Sequence, residues 1–280
     1  MVSMNRLDPV TRCRVVACLV EGNSIRATVR MTGVAKNTVT KLLVELGAAC
    51  SEYQDRTLRN LSCKRVRVDE CWAFCYAKQK NARAEHFENG GYAGDIWTWA
   101  AIDGDTKLIP CWTLGQRDSI AATQFVGDLA SRLANRIQLT SDGLRSYLVA
   151  VEKAFEGAVD FAQLVKIYNQ PTEGQKRYSP ADCIGCERHA VSGNPDPTYV
   201  STSYIERANL TMRMGMRRFT RLTNGFSKKT DNHAAAVALH MMHYNFARVH
   251  MTLKTSPAVA AGVANHVWTI AEIVALMDSN

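Results

Sequence analysis

Four carboxylates in strand-like or helix-opening positions are the residues of this sequence that point most directly to chemistry. Asp69 and Glu70 lie inside a run of β-branched and aromatic residues over 66–74, a composition that favours a strand. A carboxylate inside a strand is destabilising unless another group compensates its charge, and a divalent metal is one such group. Taken alone, an acidic pair is more simply explained by an exposed strand end. Asp142, which closes a second apolar strand, and Glu206, which opens a basic helix, favour a metal site instead.

The elements around these acids predict an α/β core. Strands are expected over 66–74, 95–102, 107–114, 137–143 and 159–165, and helices over 118–135 and 145–155. Asp103-Gly104-Asp105 is typical of a hairpin turn, and Pro110 places the third strand at a sheet edge. The order βββαβαβ is that of a ribonuclease-H-like fold, a mixed five-stranded sheet flanked by helices. This order puts the first and fourth strands side by side, so Asp69 and Asp142 are expected at neighbouring positions.

The second half of the chain predicts a loop and then helices. Residues 166–200 are rich in proline and glycine, which indicates a long irregular loop. The next helix is expected from the Ser201-Thr202-Ser203 caps to about Arg221, with Glu206, Arg213, Arg217 and Arg221 on roughly one face. Helix-dipole preference alone would explain a first-turn glutamate, but it would not explain the arginines. A core helix over 232–249 and an amphipathic helix after Trp268 complete the prediction.

The first fifty residues predict three helices in a helix-turn-helix arrangement. Asp8-Pro9 and Ser24 are helix starts, and Gly33 separates the second helix from the third. If the third helix enters a major groove, its DNA-facing residues are Lys36, Asn37, Thr38, Thr40 and Lys41. The alternative is an ordinary three-helix cap on the core.

This pattern divides the chain into four segments. Residues 1–50 form the helix-turn-helix domain, 51–65 a basic linker, 66–250 the catalytic domain with its 166–200 insertion, and 251–280 a helical extension.

The distribution of charge favours a polyanionic partner. The chain has a net charge of +8, and residues 1–65 and 201–229 each carry +6, so the remainder is slightly acidic. Two separate basic blocks suggest two contact surfaces for nucleic acid, although a solvated basic face would explain either block alone.

Composition and cysteine spacing exclude several other classes of protein. No apolar run is long enough to cross a bilayer, and the first residues lack a signal-peptide core, so a soluble cytoplasmic protein is expected. Nine unpatterned cysteines indicate reduced thiols. Cys183 and Cys186, with His189 nearby, invite a zinc interpretation, but no second ligand pair follows at a suitable spacing.

The ordered set of acids resembles the DDE triad of insertion-sequence transposases. The matching residues are Asp69 in a first strand, Asp142 in Thr-Ser-Asp-Gly after a fourth, and Glu206 in Tyr-Ile-Glu-Arg-Ala-Asn. The tail from Tyr244 to Pro257 is similar to the Y-N-x-x-R-x-H-x-x-L…[ST]-P ending of that superfamily, and the insertion-sequence-one family is the most similar in character. The resemblance covers about 66–258. It departs in the 64-residue gap between Asp142 and Glu206 and in lacking an evident N-terminal zinc motif.

The resemblance implies metal-dependent phosphoryl transfer on DNA. Asp69, Asp142 and Glu206 would be both the catalytic and the metal-binding residues and would hold two Mg²⁺ ions, with Mn²⁺ as an alternative. The expected partners are the element ends and the target DNA, and a homo-oligomer is expected to assemble on DNA. The expected reaction is strand cleavage and strand transfer at the ends of an insertion sequence. Two alternatives stay open at this point, a catalytically silent DNA-binding derivative and a ribonuclease-H-type nuclease.

Overall fold

The computed structural model describes residues 7–83, 92–169, 183–220 and 223–278. The strands are β1 Arg65–Cys75, β2 Gly94–Asp103, β3 Trp112–Gly115, β4 Ile137–Asp142, β5 Val159–Tyr168 and β6 Cys183–Ser192. The helices are α1 Pro9–Val20, α2 Ile25–Thr32, α3 Lys36–Thr57, α4 Ser119–Arg132, α5 Ser146–Phe155, α6 Ser203–Gly215, α7 Thr230–Met242, α8 Pro257–Ala260 and α9 Ile270–Ala275. Among the described residues, no helix is both long enough and apolar enough to cross a membrane.

The centre of the fold is one mixed sheet with the order β3-β2-β1-β4-β5-β6. Strands β1, β2 and β3 are antiparallel neighbours, whereas β1, β4 and β5 run parallel. The predicted adjacency of the first and fourth strands is therefore confirmed, as is the edge position of the third. The arrangement is compatible with a ribonuclease-H-like fold.

The prediction of five strands was wrong, because β6 adds a sixth strand antiparallel to β5. Part of the expected 166–200 loop is thus regular, since β5 continues to Tyr168 and β6 covers Cys183–Ser192. Strand β6 is exposed along nearly its whole length. It consequently lacks the apolar alternation by which a half-buried strand is recognised in a sequence.

Helices cover both faces of the sheet. On one face, Val66, Val68 and Trp99 pack with Phe125 of α4 and Tyr147 of α5. On the other face, side chains of β1 and β2 pack with helices α6 and α7; these include Cys71, Ala73, Ile102, Ile205, Met212 and Val237. The two helical layers fix the positions of the side chains that project from β1 and β4.

The three N-terminal helices occur where they were predicted. The side chain of Asp8 caps α1 by accepting from Thr11 N at 2.9 Å, and Ser24 caps α2 by accepting from Ala27 N at 3.1 Å. Gly33 ends α2 in the left-handed region, with φ +73°. A function of these helices in DNA binding stays a prediction.

Helix α3 is longer than expected and joins the N-terminal helices to the core. It runs through Thr57, so the interpretation of 51–65 as a linker was wrong for its first half. Gly47 of α3 lies so close to α7 that a Cβ there would come within 2.5 Å of Ala235. Apolar residues such as Leu43 and Leu46 join α3 to the same buried cluster as β1 and α4. The other domain boundaries stay predictions.

The last predicted core helix was also too long as a regular element. Helix α7 ends at Met242 and is followed by a π-helical turn over His243–Ala247. The turn directs Asn245 inward, where its side chain bonds the backbone N and O of Ile109, each at 2.9 Å. This residue of the tail motif therefore anchors the connection between β2 and β3.

Candidate metal centre

The acidic site lies where β1 and β4 separate. Arg67 and Thr140 form the last pair in the parallel β1–β4 ladder, and Asp69 and Asp142 each lie two residues further along. Equal steps along parallel strands keep the two acids at one level and on one face. Ligand oxygens of Asp69, Glu70 and Asp142 all lie within 4.8 Å of one another. The predicted meeting of Asp69 and Asp142 is thus confirmed.

Asp69 is fixed by two hydrogen bonds. Its Oδ1 accepts from the backbone N of Glu70 at 2.8 Å, and its Oδ2 accepts from Nδ2 of Asn209 on α6, also at 2.8 Å. Burial raises the pKa of Asp69 to about 6, and the nearby charges of Asp142 and Glu206 also raise it. The proton is therefore held more tightly than by an ordinary aspartate.

Glu70 completes the cluster from the opposite face of β1. Its side chain is only 1% exposed, accepts a hydrogen bond from the hydroxyl of Tyr147 on α5, and pairs with Arg117 Nε at 3.1 Å. Burial raises its pKa to about 7, and the charges of Asp142 and Asp69 add to the shift. Because alternate side chains of a strand face opposite ways, the sequence pattern separates Glu70 from Asp69. The three carboxylates nevertheless meet beyond the last pair of the β1–β4 ladder.

Arg117 is the cation that pairs with this cluster among the described residues. It reaches Glu70 through Nε and Asp142 Oδ2 through Nη2 at 3.5 Å, and its guanidinium lies 5.1 Å from the centre of the Trp97 ring. Asp142 also accepts from the backbone N of Leu144 at 3.0 Å. The Arg117 guanidinium therefore pairs with two carboxylates, those of Glu70 and Asp142. Sequence reasoning missed this residue, which lies two positions after the end of β3.

Glu206 is near the cluster but is not part of it. Its Oε1 accepts from Lys166 Nζ at 2.5 Å and from the hydroxyl of Thr202. Burial would raise the pKa of Glu206, but these two hydrogen bonds and the charge of Lys166 lower it below its usual value. The charge of Glu206 contributes to the raised pKa of Asp69. The structure thus brings together two of the three predicted acids and holds the third beside them.

Asn209 is a second residue whose function sequence reasoning missed. It is buried three positions after Glu206, so both side chains lie on the face of α6 that meets β1. The segment Tyr-Ile-Glu-Arg-Ala-Asn indicates this residue, because its glutamate and asparagine are three positions apart and therefore lie on one face of a helix.

The predicted row of arginines does not exist as one helical face. Helix α6 ends at Gly215, Met216 is extended, and Arg217 begins a 3₁₀ turn. Gly215 is a poor helix former, and Met212, Met216 and Phe219 are buried together on the two sides of the break. Arg213 stays on α6, Arg217 is exposed beyond it, and Arg221 lies outside the described residues.

The predicted DNA-facing residues of α3 are accessible. Lys36, Asn37 and Lys41 are exposed, while Thr38 and Thr40 are partly buried. Thr40 donates its hydroxyl to the carbonyl of Lys36 at 3.0 Å, and Lys41 pairs with Glu45 at 3.7 Å. The exposure of Lys36, Asn37 and Lys41 is compatible with contact to DNA.

The cysteine pair on β6 does not form a zinc site with His189. A register shift beside Tyr168 puts Cys183 and Cys186 on the same face, with their sulfur atoms 4.0 Å apart. His189 lies three residues beyond Cys186 in regular register, so it faces the other way. Among the described residues, the groups able to hold a metal do not include these thiols.

Comparison with known proteins does not assign the chain to a family. No known family model and no curated protein matches the chain. One structural neighbour is a piggyBac transposase in a synaptic complex with hairpin DNA, solved by cryo-EM. It has a TM-score of 0.41 and 10% identity, over 100% of this chain and 73% of the neighbour. Membership of the insertion-sequence-one family stays a prediction.

Proposed function

We propose that the chain is a metal-dependent phosphoryl transferase that cuts and joins DNA strands, as a DDE-type transposase does. The observation that carries the proposal is the meeting of Asp69, Glu70 and Asp142 at the point where two parallel strands separate. Open α/β sheets place their ligand sites in this kind of crevice.

The donor set fits a hard divalent cation. All three groups are carboxylates, and oxygen ligands are those that Mg²⁺ and Mn²⁺ prefer. Burial raises the pKa of Asp69 to about 6 and that of Glu70 to about 7, which indicates that the described surroundings do not fully compensate the two charges. A cation would remove that cost. Asp69, Glu70 and Asp142 would hold it, with Glu206 able to join when Lys166 releases it.

A bound divalent cation supplies charge neutralisation at the phosphorus and activation of an attacking hydroxyl. The protein residues provide the remaining functions. Asn209 and Tyr147 orient the carboxylates through hydrogen bonds, and Arg117 offers a guanidinium beside them that can pair with a phosphate oxygen. Lys166 holds Glu206 in a fixed position on the same face.

DNA binding by Lys36, Asn37, Thr38, Thr40, Lys41, Arg213, Arg217 and Arg221 belongs to this proposal, as does assembly of a homo-oligomer on DNA. Support comes from the exposure of Lys36, Asn37, Lys41 and Arg217 and from the net charge of +8.

A nicking assay with isosteric variants tests the function. Asp69→Asn, Glu70→Gln, Asp142→Asn and Glu206→Gln each keep the shape of the side chain but remove its charge. We expect the first three to abolish Mg²⁺-dependent cleavage of DNA that contains an element end, while DNA binding measured in EDTA is kept. Loss of cleavage in Glu206→Gln would assign that residue to the reaction as well. Full cleavage by the Asp69 and Asp142 variants would refute the proposed chemistry.

A further inference from the structure

The two basic blocks of the sequence meet in space. Four basic residues from each block line a single groove of about 1510 Å³ between the start of α3 and the segment that follows α6. The sequence suggested two separate contact surfaces, and the structure instead places the blocks opposite each other. The groove therefore concentrates positive charge that would be dispersed on two independent faces.

One wall of the groove comes from the N-terminal helices. It carries Arg26 and Arg30 on α2 and Lys36 and Lys41 on α3, all exposed. Among the described residues, Lys41 pairs with Glu45, whereas the other three form no ion pair. Glu45 is also the only carboxylate among the described residues that line the groove.

The other wall comes from the segment after α6. It carries Arg217, Arg218, Lys228 and Lys229, and none of them pairs with a carboxylate among the described residues. Arg218 is partly buried and donates to the hydroxyl of Ser227 at 3.1 Å. A partly buried guanidinium without a counter-ion is costly unless an anion arrives to pair with it.

The walls repel each other and are nonetheless held together. The pKa of Lys228 is lowered by burial and also by the charge of Arg26, which lies on the opposite wall. At the end of the groove, the α1–α2 turn meets the end of α6, where a Cβ on Gly22 would come within 3.1 Å of the Gly215 carbonyl oxygen. Packing thus fixes two sets of like charges face to face, an arrangement that an anion between them would stabilise.

We infer that this groove is one binding site for the phosphate backbone of a nucleic-acid strand, which both walls contact at the same time. The identification of the polyanion as nucleic acid rests on the proposed function. Gly215 lies nine residues after Glu206 on α6, so the groove begins about 14 Å along the helix from Glu206, which lies beside the acidic site. A strand held in the groove can therefore continue towards the carboxylates, and the groove would bind the DNA that flanks the reacting phosphate.

Salt-dependent binding tests the inference without metal. Binding of labelled single-stranded and duplex DNA to the full chain is measured in EDTA at several salt concentrations. The groove variant is Arg30→Ala with Lys229→Ala, one residue from each wall. The matched control is Lys64→Ala with Lys153→Ala, two exposed lysines outside the groove that lower the net charge equally.

The slope of log affinity against log salt should fall by about 1.8 for duplex DNA or about 1.4 for a single strand, because each lost phosphate contact contributes about 0.9 or 0.7. The control should leave the slope unchanged. Equal changes in the two variants, or no change in the groove variant, would overturn the inference. The DNA form that shows its full expected loss is the form that the groove holds.

Lysine footprinting on the unaltered protein separates one groove from two surfaces. The reactivity of Lys36 and Lys228 towards an acetylating reagent should fall in parallel as a short oligonucleotide reaches one equivalent, while that of Lys153 stays constant. Protection of one wall without the other would refute a shared site. Intact binding by the groove variant, together with loss of cleavage in Asp69→Asn, would leave the proposed function standing without the groove. The opposite result would leave the groove standing without the function.

Discussion

Competition between protons and metal at Asp69 and Glu70 should make metal affinity strongly dependent on pH. Burial raises the two pKa values to about 6 and about 7, and a carboxylate must lose its proton before it binds a cation. If both residues are ligands, two protons compete with the metal at pH 5. If they titrate independently, affinity should fall about 1000-fold between pH 8 and pH 5.

The Glu70→Gln variant isolates the contribution of Asp69. With one competing proton left, the fall over the same interval should be only about 10-fold. At pH 6.5 the unaltered protein should release about one proton for each metal ion bound, and the variant about a quarter of one. The difference in proton release between the two proteins is therefore largest at the acidic end of the titration.

Calorimetric titration with Mn²⁺ at four pH values, in buffers of different ionisation enthalpy, measures both the affinity and the proton release. Glu152→Gln, an exposed glutamate on α5, is the matched control and should behave like the unaltered protein. A 10-fold dependence in the unaltered protein would remove Glu70 from the ligand set. A flat profile would refute the argument that burial raises the pKa values of these ligands.

Three further predictions concern the same site. In the metal-free protein, Glu70→Gln should raise the free energy of unfolding at pH 8 by up to about 3 kcal/mol, because a raised carboxylate pKa makes ionisation destabilising as pH rises from about 4.5 to 7. The gain should vanish at pH 4, and urea unfolding at both pH values checks it. Asn209→Ala should weaken Mn²⁺ binding about tenfold by removing the hydrogen bond to Asp69, and unchanged affinity would reduce that contact to packing. Lys166→Met should release Glu206 and strengthen Mn²⁺ binding, and adding Glu206→Gln should cancel the gain if Glu206 is a ligand.

Local signals in the sequence were sufficient to predict the central strands of the sheet and the positions where the helices begin. Asp118 caps α4 by accepting from Ala121 N at 2.9 Å, as its position before an apolar helix predicts. The order of the strands was enough to predict that Asp69 and Asp142 meet, because adjacent parallel strands end at the same edge of the sheet. These features depend on residues close in sequence or on general rules of chain connection.

The features that the sequence did not predict depend on tertiary geometry. Glu70 meets Asp69 beyond the last pair of the β1–β4 ladder, and no periodic pattern records where that ladder ends. The end of α6 at Gly215 is not recorded in the apolar pattern either, because Met212, Met216 and Phe219 keep the spacing of one face of a continuous helix. The basic groove is formed by segments almost two hundred residues apart, so charge counting showed the two blocks but not their meeting.

The charges around the site bear on how many metal ions it can hold. Asp69, Glu70, Asp142 and Glu206 carry four negative charges when ionised, and Arg117 and Lys166 pair with three of these acids. The two cations leave two negative charges, which one divalent ion balances. A second divalent ion, which the transposase resemblance implies, would leave an excess of positive charge that a DNA phosphate could only partly offset. Either Arg117 or Lys166 must therefore move away before a second ion is favourable, and the release of Glu206 by Lys166 would at the same time free its carboxylate as a ligand.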